Sequence, residues 1–137
     1  MLKRGETTPT KINNINESVF AVAVDSKDNI YFGISSSSFV LKQGKNIPEI
    51  INGFDKNIGG FDKILIDNSD NVYFASYLGK YYLLEQNKDS VIKINGIDKV
   101  SENILIDKDN NIYFQTTNKI YFLKFGENIA NLKLSTN

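Results

Sequence analysis

The sequence predicts an all-β fold assembled from three copies of one four-stranded unit. Three observations predict it. One stretch recurs as AVDSKDNIYFGIS from Ala23, ILIDNSDNVYFAS from Ile64 and ILIDKDNNIYFQT from Ile104, with anchoring aspartates Asp25, Asp67 and Asp107 at intervals of 42 and 40 residues. A fixed period of that size marks a repeat architecture. The apolar residues come in short runs rich in Ile, Val, Tyr, Phe and Leu, with polar turn residues between them, which is the pattern of strands. No segment of eleven or more residues carries a helical period.

The pattern begins at the N-terminus. Leu2-Lys3-Arg4-Gly5 matches Leu41-Lys42-Gln43-Gly44 and Leu123-Lys124-Phe125-Gly126, and Leu84-Glu85-Gln86-Asn87 is a divergent copy. Residues 1–18 therefore read as part of a repeat, followed by repeats over 19–61, 62–101 and 102–137. The first repeat is expected to hold strands over 20–24, 30–35, 39–42 and 48–51. The second holds them over 63–66, 72–76, 80–85 and 90–94, and the third over 103–106, 112–115, 119–125 and 130–134. Residues 7–15 read as one extra fourth strand, in which Pro9 suits an edge because it cannot donate to a ladder.

The turn joining the first two strands is the most regular feature. It reads Asp25-Ser-Lys-Asp28-Asn29, Asp67-Asn-Ser-Asp70-Asn71 and Asp107-Lys-Asp-Asn110-Asn111. Short Asp and Asn side chains bond back to the local backbone and tolerate a left-handed conformation. Asp28, Asp70 and Asn110 are expected at or near a position of positive φ.

Composition narrows the chemistry. The 137 residues carry 16 Lys+Arg and 16 Asp+Glu, 41% hydrophobic and 23% charged residues, as in an ordinary globular domain. A nucleic-acid partner would call for a basic excess or stripe, and neither is present. Cysteine and histidine are absent, which removes disulfides, thiolate metal sites and the commonest general base and metal ligand. No apolar run approaches membrane-spanning length, and the N-terminus lacks the apolar core of a secretory signal. The chain is expected to be soluble, cytoplasmic by default, or secreted if cut from a longer precursor. Heavy use of Asn, Ile and Lys reads as the codon bias of an AT-rich genome.

The text DSKDNIYFGISSSSFVLKQG, DNSDNVYFASYLGKYYLLEQ and DKDNNIYFQTTNKIYFLKFG resembles the β-propeller repeats of the two-component-regulator-propeller and NHL type, over nearly the whole chain. Asp or Asn stands where that pattern has a turn Gly, and Tyr replaces its common Trp. The resemblance implies four-stranded blades, three per chain. Family propellers close with more blades, so two chains meeting end to end in an isologous contact under a two-fold axis are expected to complete six. A β-trefoil, which also holds three four-stranded units, is the competing fold.

No motif commits the chain to catalysis or to a cofactor. The turn aspartates are oxygen-rich, but their spacing lacks the D-x-D-x-D-G order and the closing Glu of a calcium loop, so turn structure is the preferred reading. Ser35–Ser38 has no histidine to make a triad and no nucleophile elbow around it, and reads as a loop. Gly59-Gly60 reads as a connecting turn rather than a phosphate loop. The pairs Tyr31-Phe32, Tyr73-Phe74 and Tyr113-Phe114 straddle a strand and read as core. The non-repeated aromatics Phe54 and Tyr77 fall in inter-strand loops. With Asp55, Ser36, Ser37 and Asn118 they form the candidate interaction surface of a non-enzymatic scaffold for protein binding. The alternative is a carbohydrate- or small-ligand-binding module.

Overall fold

In a computed structural model, residues 2, 4–9, 11–12, 16–97 and 99–135 are described. Among them there are twelve strands and no helix. Sheet 1 holds β1 (Ala21–Val24), β2 (Ile30–Gly33), β3 (Ser38–Leu41) and β4 (Glu49–Ile50). Sheet 2 holds β5 (Phe61–Ile66), β6 (Val72–Ser76), β7 (Tyr81–Leu84) and β8 (Ile92–Ile94). Sheet 3 holds β9 (Asn103–Ile106), β10 (Ile112–Gln115), β11 (Lys119–Leu123) and β12 (Asn131–Ser135). Each is an antiparallel meander in chain order, and the sheets share no ladder among the described residues. The chain is thus a row of propeller-like blades. A trefoil needs strands from all three repeats to close one barrel, and among the described residues the strands form three separate sheets and no barrel.

Residues 7–15 were expected as a fourth strand. The described part, 7–9 and 11–12, takes no strand, while Thr10, Asn13, Asn14 and Ile15 lie outside the described residues. In the serine run, β2 ends at Gly33 and Ser38 already opens β3, buried with its hydroxyl donating to the Phe32 carbonyl at 2.9 Å. Gly59 and Gly60 do connect two blades, both at positive φ.

Sheets 1 and 2 enclose one core, and sheets 2 and 3 another. Successive side chains of a strand point to opposite faces, so each blade has a front facing the preceding blade and a back facing the next. The front of sheet 2 (Ile64, Val72, Phe74, Tyr82 and Leu84) packs on Ala21, Ala23, Tyr31 and Val40 at the back of sheet 1. Its own back (Tyr73, Ala75, Tyr81 and Leu83) packs on Ile104, Ile112, Phe114, Tyr121 and Leu123 at the front of sheet 3. Every residue of β6 and β7 is consequently buried, and each such large apolar side chain contributes on the order of 2 kcal/mol. Tyr73-Phe74 supplies one ring to each core, while the flanking pairs contribute Tyr31 to the first core and Phe114 to the second.

The β1–β2 turns link the blades as well as reversing the chain. Asp28, Asp70 and Asn110 have φ of 63°, 63° and 65°, as the Asx chemistry predicted. The side chains of Asp70 and Asn110 reach back to the preceding blade. Asp70 accepts the Ser26 backbone N–H at 3.0 Å and the Ser26 hydroxyl. Asn110 accepts the Asn68 N–H at 2.9 Å and donates to Ser69 Oγ at 3.1 Å. A second link lies at the outer strands, where Asn52 pairs with Ser90 and Asn95 with Ile129 in parallel bridges.

The first link predicts an acid limb. The Ser26 hydroxyl and then its backbone N–H hold the Asp70 carboxyl below its ordinary 3.8. A carboxylate depressed on folding contributes stability above its unfolded pKa and loses it as pH falls through the lower folded value. Urea midpoints are expected to drop below pH 4 partly through this group, and Asp70→Asn should flatten that limb while retaining the acceptor. An unchanged limb in Asp70→Asn would exclude the link as its source.

Candidate functional site

An antiparallel meander puts alternate connections at opposite ends. The β1–β2 and β3–β4 turns share one end. The β2–β3 loops and the blade connectors 51–60 and 95–102 share the other. All six residues expected in an interaction surface fall at this second end. Ser36 and Ser37 are in the first β2–β3-type loop, Tyr77 in the second and Asn118 in the third, while Phe54 and Asp55 are in the first connector.

Their surroundings differ. Phe54 turns inward, edge-on to Phe61, Phe74 and Tyr82 with centroids 5.0, 5.2 and 4.9 Å away. An aromatic ring gains more from such a cluster than from water, so Phe54 caps the core rather than presenting its face. Asp55 is engaged beside it. Its carboxylate accepts the Tyr82 hydroxyl at 2.7 Å and pairs with Lys93 at 3.3 Å, which together hold it below the usual carboxylate range. Burial is the first reason that the Tyr82 phenol is raised. Ser36 is exposed, and Ser37 and Asn118 are half-buried.

Tyr77 is open, at 47% exposure, and stands on a fixed loop. Its N–H donates to the Gly60 carbonyl at 3.0 Å, the Gly79 N–H to the Ser76 carbonyl at 3.2 Å, and the Lys80 N–H to Ser76 Oγ at 3.0 Å. Tyr77 meets Phe20 edge-to-face at 6.3 Å. Leu78 lies over Gly59, where a Cβ would fall 2.5 Å from its Cγ, and is 58% exposed. On the far side, a Cβ on Gly79 would come 3.0 Å from the Val100 nitrogen. The Tyr81 hydroxyl fixes that connector through the Lys99 carbonyl at 2.6 Å and through Ser101 Oγ. Phe20, Tyr77, Leu78 and Val100 therefore form an exposed apolar strip running from the start of sheet 1 to the start of sheet 3.

Sequence reasoning found one member of this strip. Phe20 was assigned to a strand, and Leu78 and Val100 went unnoticed. The available signal was Tyr77-Leu78 itself, two large apolar residues in a turn just before Gly79.

At the opposite end the aspartates are engaged with their own turns. Asp67 accepts the Ser69 and Asn71 N–H groups at 2.9 and 3.0 Å, Asn71 Nδ2 at 3.1 Å and the Tyr73 hydroxyl at 3.0 Å. Asp25 and Asp107 repeat the arrangement, with Tyr31 and Tyr113 as the phenol donors. Burial, and then the Asp25 charge, pushes the Tyr31 phenol up to about 12. The Asp-to-Tyr interval of six residues was legible in all three copies, and it explains a phenol where the repeat pattern carries an indole. Among the described residues, no group of three or more acidic side chains is placed to hold a metal ion, and no helix is long and apolar enough to cross a membrane.

Solved structures share this architecture. The domain described as the extracellular part of a one-component system in B. thetaiotaomicron superimposes with a TM-score of 0.66 at 14% identity, over 87% of this chain and 18% of its own. PorZ, a bacterial surface component of the type-IX secretion system of Porphyromonas gingivalis, does so with a TM-score of 0.57 at 15% identity, over 88% of this chain and 16% of its own. Both neighbours support a propeller-like fold, and the chain spans less than a fifth of either. No family model and no curated protein matches the sequence.

Proposed function

We propose that this protein is a non-enzymatic propeller-like scaffold that binds a protein partner through the loop end of its blades. The observation that carries the reading is the strip of Phe20, Tyr77, Leu78 and Val100. Contiguous exposed apolar side chains mark interaction sites on soluble proteins, and loops on a rigid scaffold are the usual place for them. Aromatic anchors also dominate protein interfaces. The partner that suits the strip is an extended or helical segment with one or two large apolar anchors. Use of the turn aspartates in local hydrogen bonds supports the non-enzymatic half of the proposal, because those carboxylates are committed to donors in their own turns.

A peptide-display selection against the folded chain tests it. Selected peptides are expected to carry apolar or aromatic anchors and to lose at least about tenfold in affinity on the double variant Tyr77→Ser, Leu78→Ser, since a central anchor is worth upward of 1.4 kcal/mol. The melting temperature should stay close to wild type, because the substitutions are on the surface. Peptides that bind the double variant undiminished would move the site elsewhere. Binding on a glycan array without any peptide selected would favour the carbohydrate module.

A further inference from the structure

Where sheet 3 meets the back of sheet 2, the turn joining β11 and β12 leaves a groove of about 260 Å³. Tyr73, Leu83, Ile92 and Phe125 line it together with Glu85 and Glu127. Phe125 and Ile92 are 46% and 39% exposed, so no part of the chain covers them. Sites for whole cofactors run to roughly 300–1,000 Å³, and a groove of this size suits one long side chain. Neither glutamate carboxylate has a hydrogen bond or ion pair among the described residues. No Lys or Arg lines the groove, and the Tyr73 hydroxyl is engaged by Asp67 at 3.0 Å. The groove thus joins an open apolar surface to two anions without a counter-charge.

The other junction shows that the repeat does not require this arrangement. By register, Leu83, Glu85 and Ile92 of sheet 2 correspond to Val40, Lys42 and Glu49 of sheet 1. Matching turn hydrogen bonds place Phe125 and Glu127 of sheet 3 at the positions of Gln86 and Lys88 in sheet 2. At the junction of sheets 1 and 2 the equivalent residues are therefore Lys42, Glu49, Gln86 and Lys88, and Lys42 pairs with Glu49 at 3.1 Å. At the junction of sheets 2 and 3 both cations become anions, the counter-charge becomes Ile92, and an amide becomes the Phe125 ring. The sign of the charge excludes a phosphate or nucleic-acid ligand. Two carboxylates fall short of the about six to eight oxygens that calcium takes.

We infer that this groove receives an arginine side chain of a partner protein, with the guanidinium beside the Glu85 and Glu127 carboxylates and the methylene stem against Ile92 and Phe125. A guanidinium is weakly hydrated, donates in a fork that matches carboxylates, and stacks on aromatic faces, so it suits a partly open site with a ring at its edge. The methylene stem covers apolar surface while the charged head stays near water. The groove is at the turn end of the blades and the strip of Phe20, Tyr77, Leu78 and Val100 at the loop end. The inference therefore stands independently of that strip.

Nuclear magnetic resonance titration of the full, isotope-labelled chain with the blocked peptide acetyl-Gly-Arg-Gly-amide tests this. Saturable shifts are expected at the amides of Asn71, Glu85 and residues 125–128, and none at Tyr77. Citrulline in place of arginine keeps the shape and removes the charge, and should weaken binding at least about fivefold. The double variant Glu85→Gln, Glu127→Gln should do the same to the arginine peptide. Glu85→Lys with Glu127→Lys installs the charges of the first junction and should abolish binding. Both glutamates are exposed, so the melting temperature of these variants should match wild type. Absence of saturable shifts overturns the inference, as does a citrulline peptide or a Gln double variant that binds undiminished. Agmatine bound more tightly than the peptide would overturn the protein source in favour of a free amine. Calcium shifting these amides where the peptide does not would overturn the arginine in favour of a metal.

Discussion

Gly96→Ala is expected to be among the most destabilising single-methyl changes available in this chain. Gly96 follows Asn95, which accepts the Ala130 N–H at 2.7 Å and donates to the Asn128 carbonyl at 2.8 Å in the bridge between sheets 2 and 3. Its φ is 97°, and an added Cβ would fall 2.1 Å from the Ala130 carbonyl oxygen. The obstacle is backbone and cannot swing aside, so the bridge must break or the connector must move. Strain and loss of two hydrogen bonds together should cost roughly 4 kcal/mol, a large share of a domain's ~5–15 kcal/mol. For a chain of this length that is a fall of roughly 10–20 °C in melting temperature. Gly126→Ala is the control: its φ is 86° but nothing lies within 4 Å of the added Cβ. It should cost about 1 kcal/mol, from backbone strain alone. Gly126→Asn should cost less still, since Asn87 holds φ 65° at the corresponding turn of sheet 2. Equal melting of Gly96→Ala and Gly126→Ala would show that the close approach at Ala130 carries no weight.

Asp67→Ala is expected to cost roughly 3 kcal/mol, since hydrogen bonds to a charged acceptor are worth about 1.5–3 kcal/mol each and buried donors are left unpaired. The side chain is 5% exposed and accepts four hydrogen bonds from Ser69, Asn71 and Tyr73. Asp67→Asn keeps one acceptor oxygen for the two backbone donors and should fall between alanine and wild type. Tyr73→Phe removes one donor and leaves the rest of the turn satisfied, so it should cost about 1 kcal/mol. Chemical denaturation gives the ranking. Added calcium is expected to leave the wild-type midpoint unchanged; a rise in wild type that Asp67→Ala lacks would assign the carboxylate to metal instead.

The blades were legible because their determinants are local. A run such as Val72–Ser76, between an Asx turn and a glycine turn, has one good conformation, and Asp28, Asp70 and Asn110 take left-handed backbone for reasons contained in five residues. The loop end was partly legible. Six residues placed from loop positions did fall at one end of the sheets, because antiparallel order follows from strand order. Which of them face outward did not follow. Phe54 and Tyr77 are both loop aromatics, yet three neighbouring rings draw Phe54 inward, while among the described residues the one ring that meets Tyr77 is Phe20.

By itself, then, the sequence determined the repeat, the strands within it and the turn chemistry, all of which depend on interactions over a few residues. The tertiary structure alone decided how the copies join. Ser26 with Asp70, Asn68 with Asn110, and Asn95 with Ile129 are far apart in the chain, and Asp67, Asp70 and Asn110 sit in near-identical turn text while serving different partners. It also separated the trefoil from the row of blades. Three four-stranded repeats are compatible with either fold, and the choice rests on whether Leu65, Tyr73 and Leu83 face a shared barrel or the front of the next blade. That is a property of long-range packing, which strand periodicity does not encode.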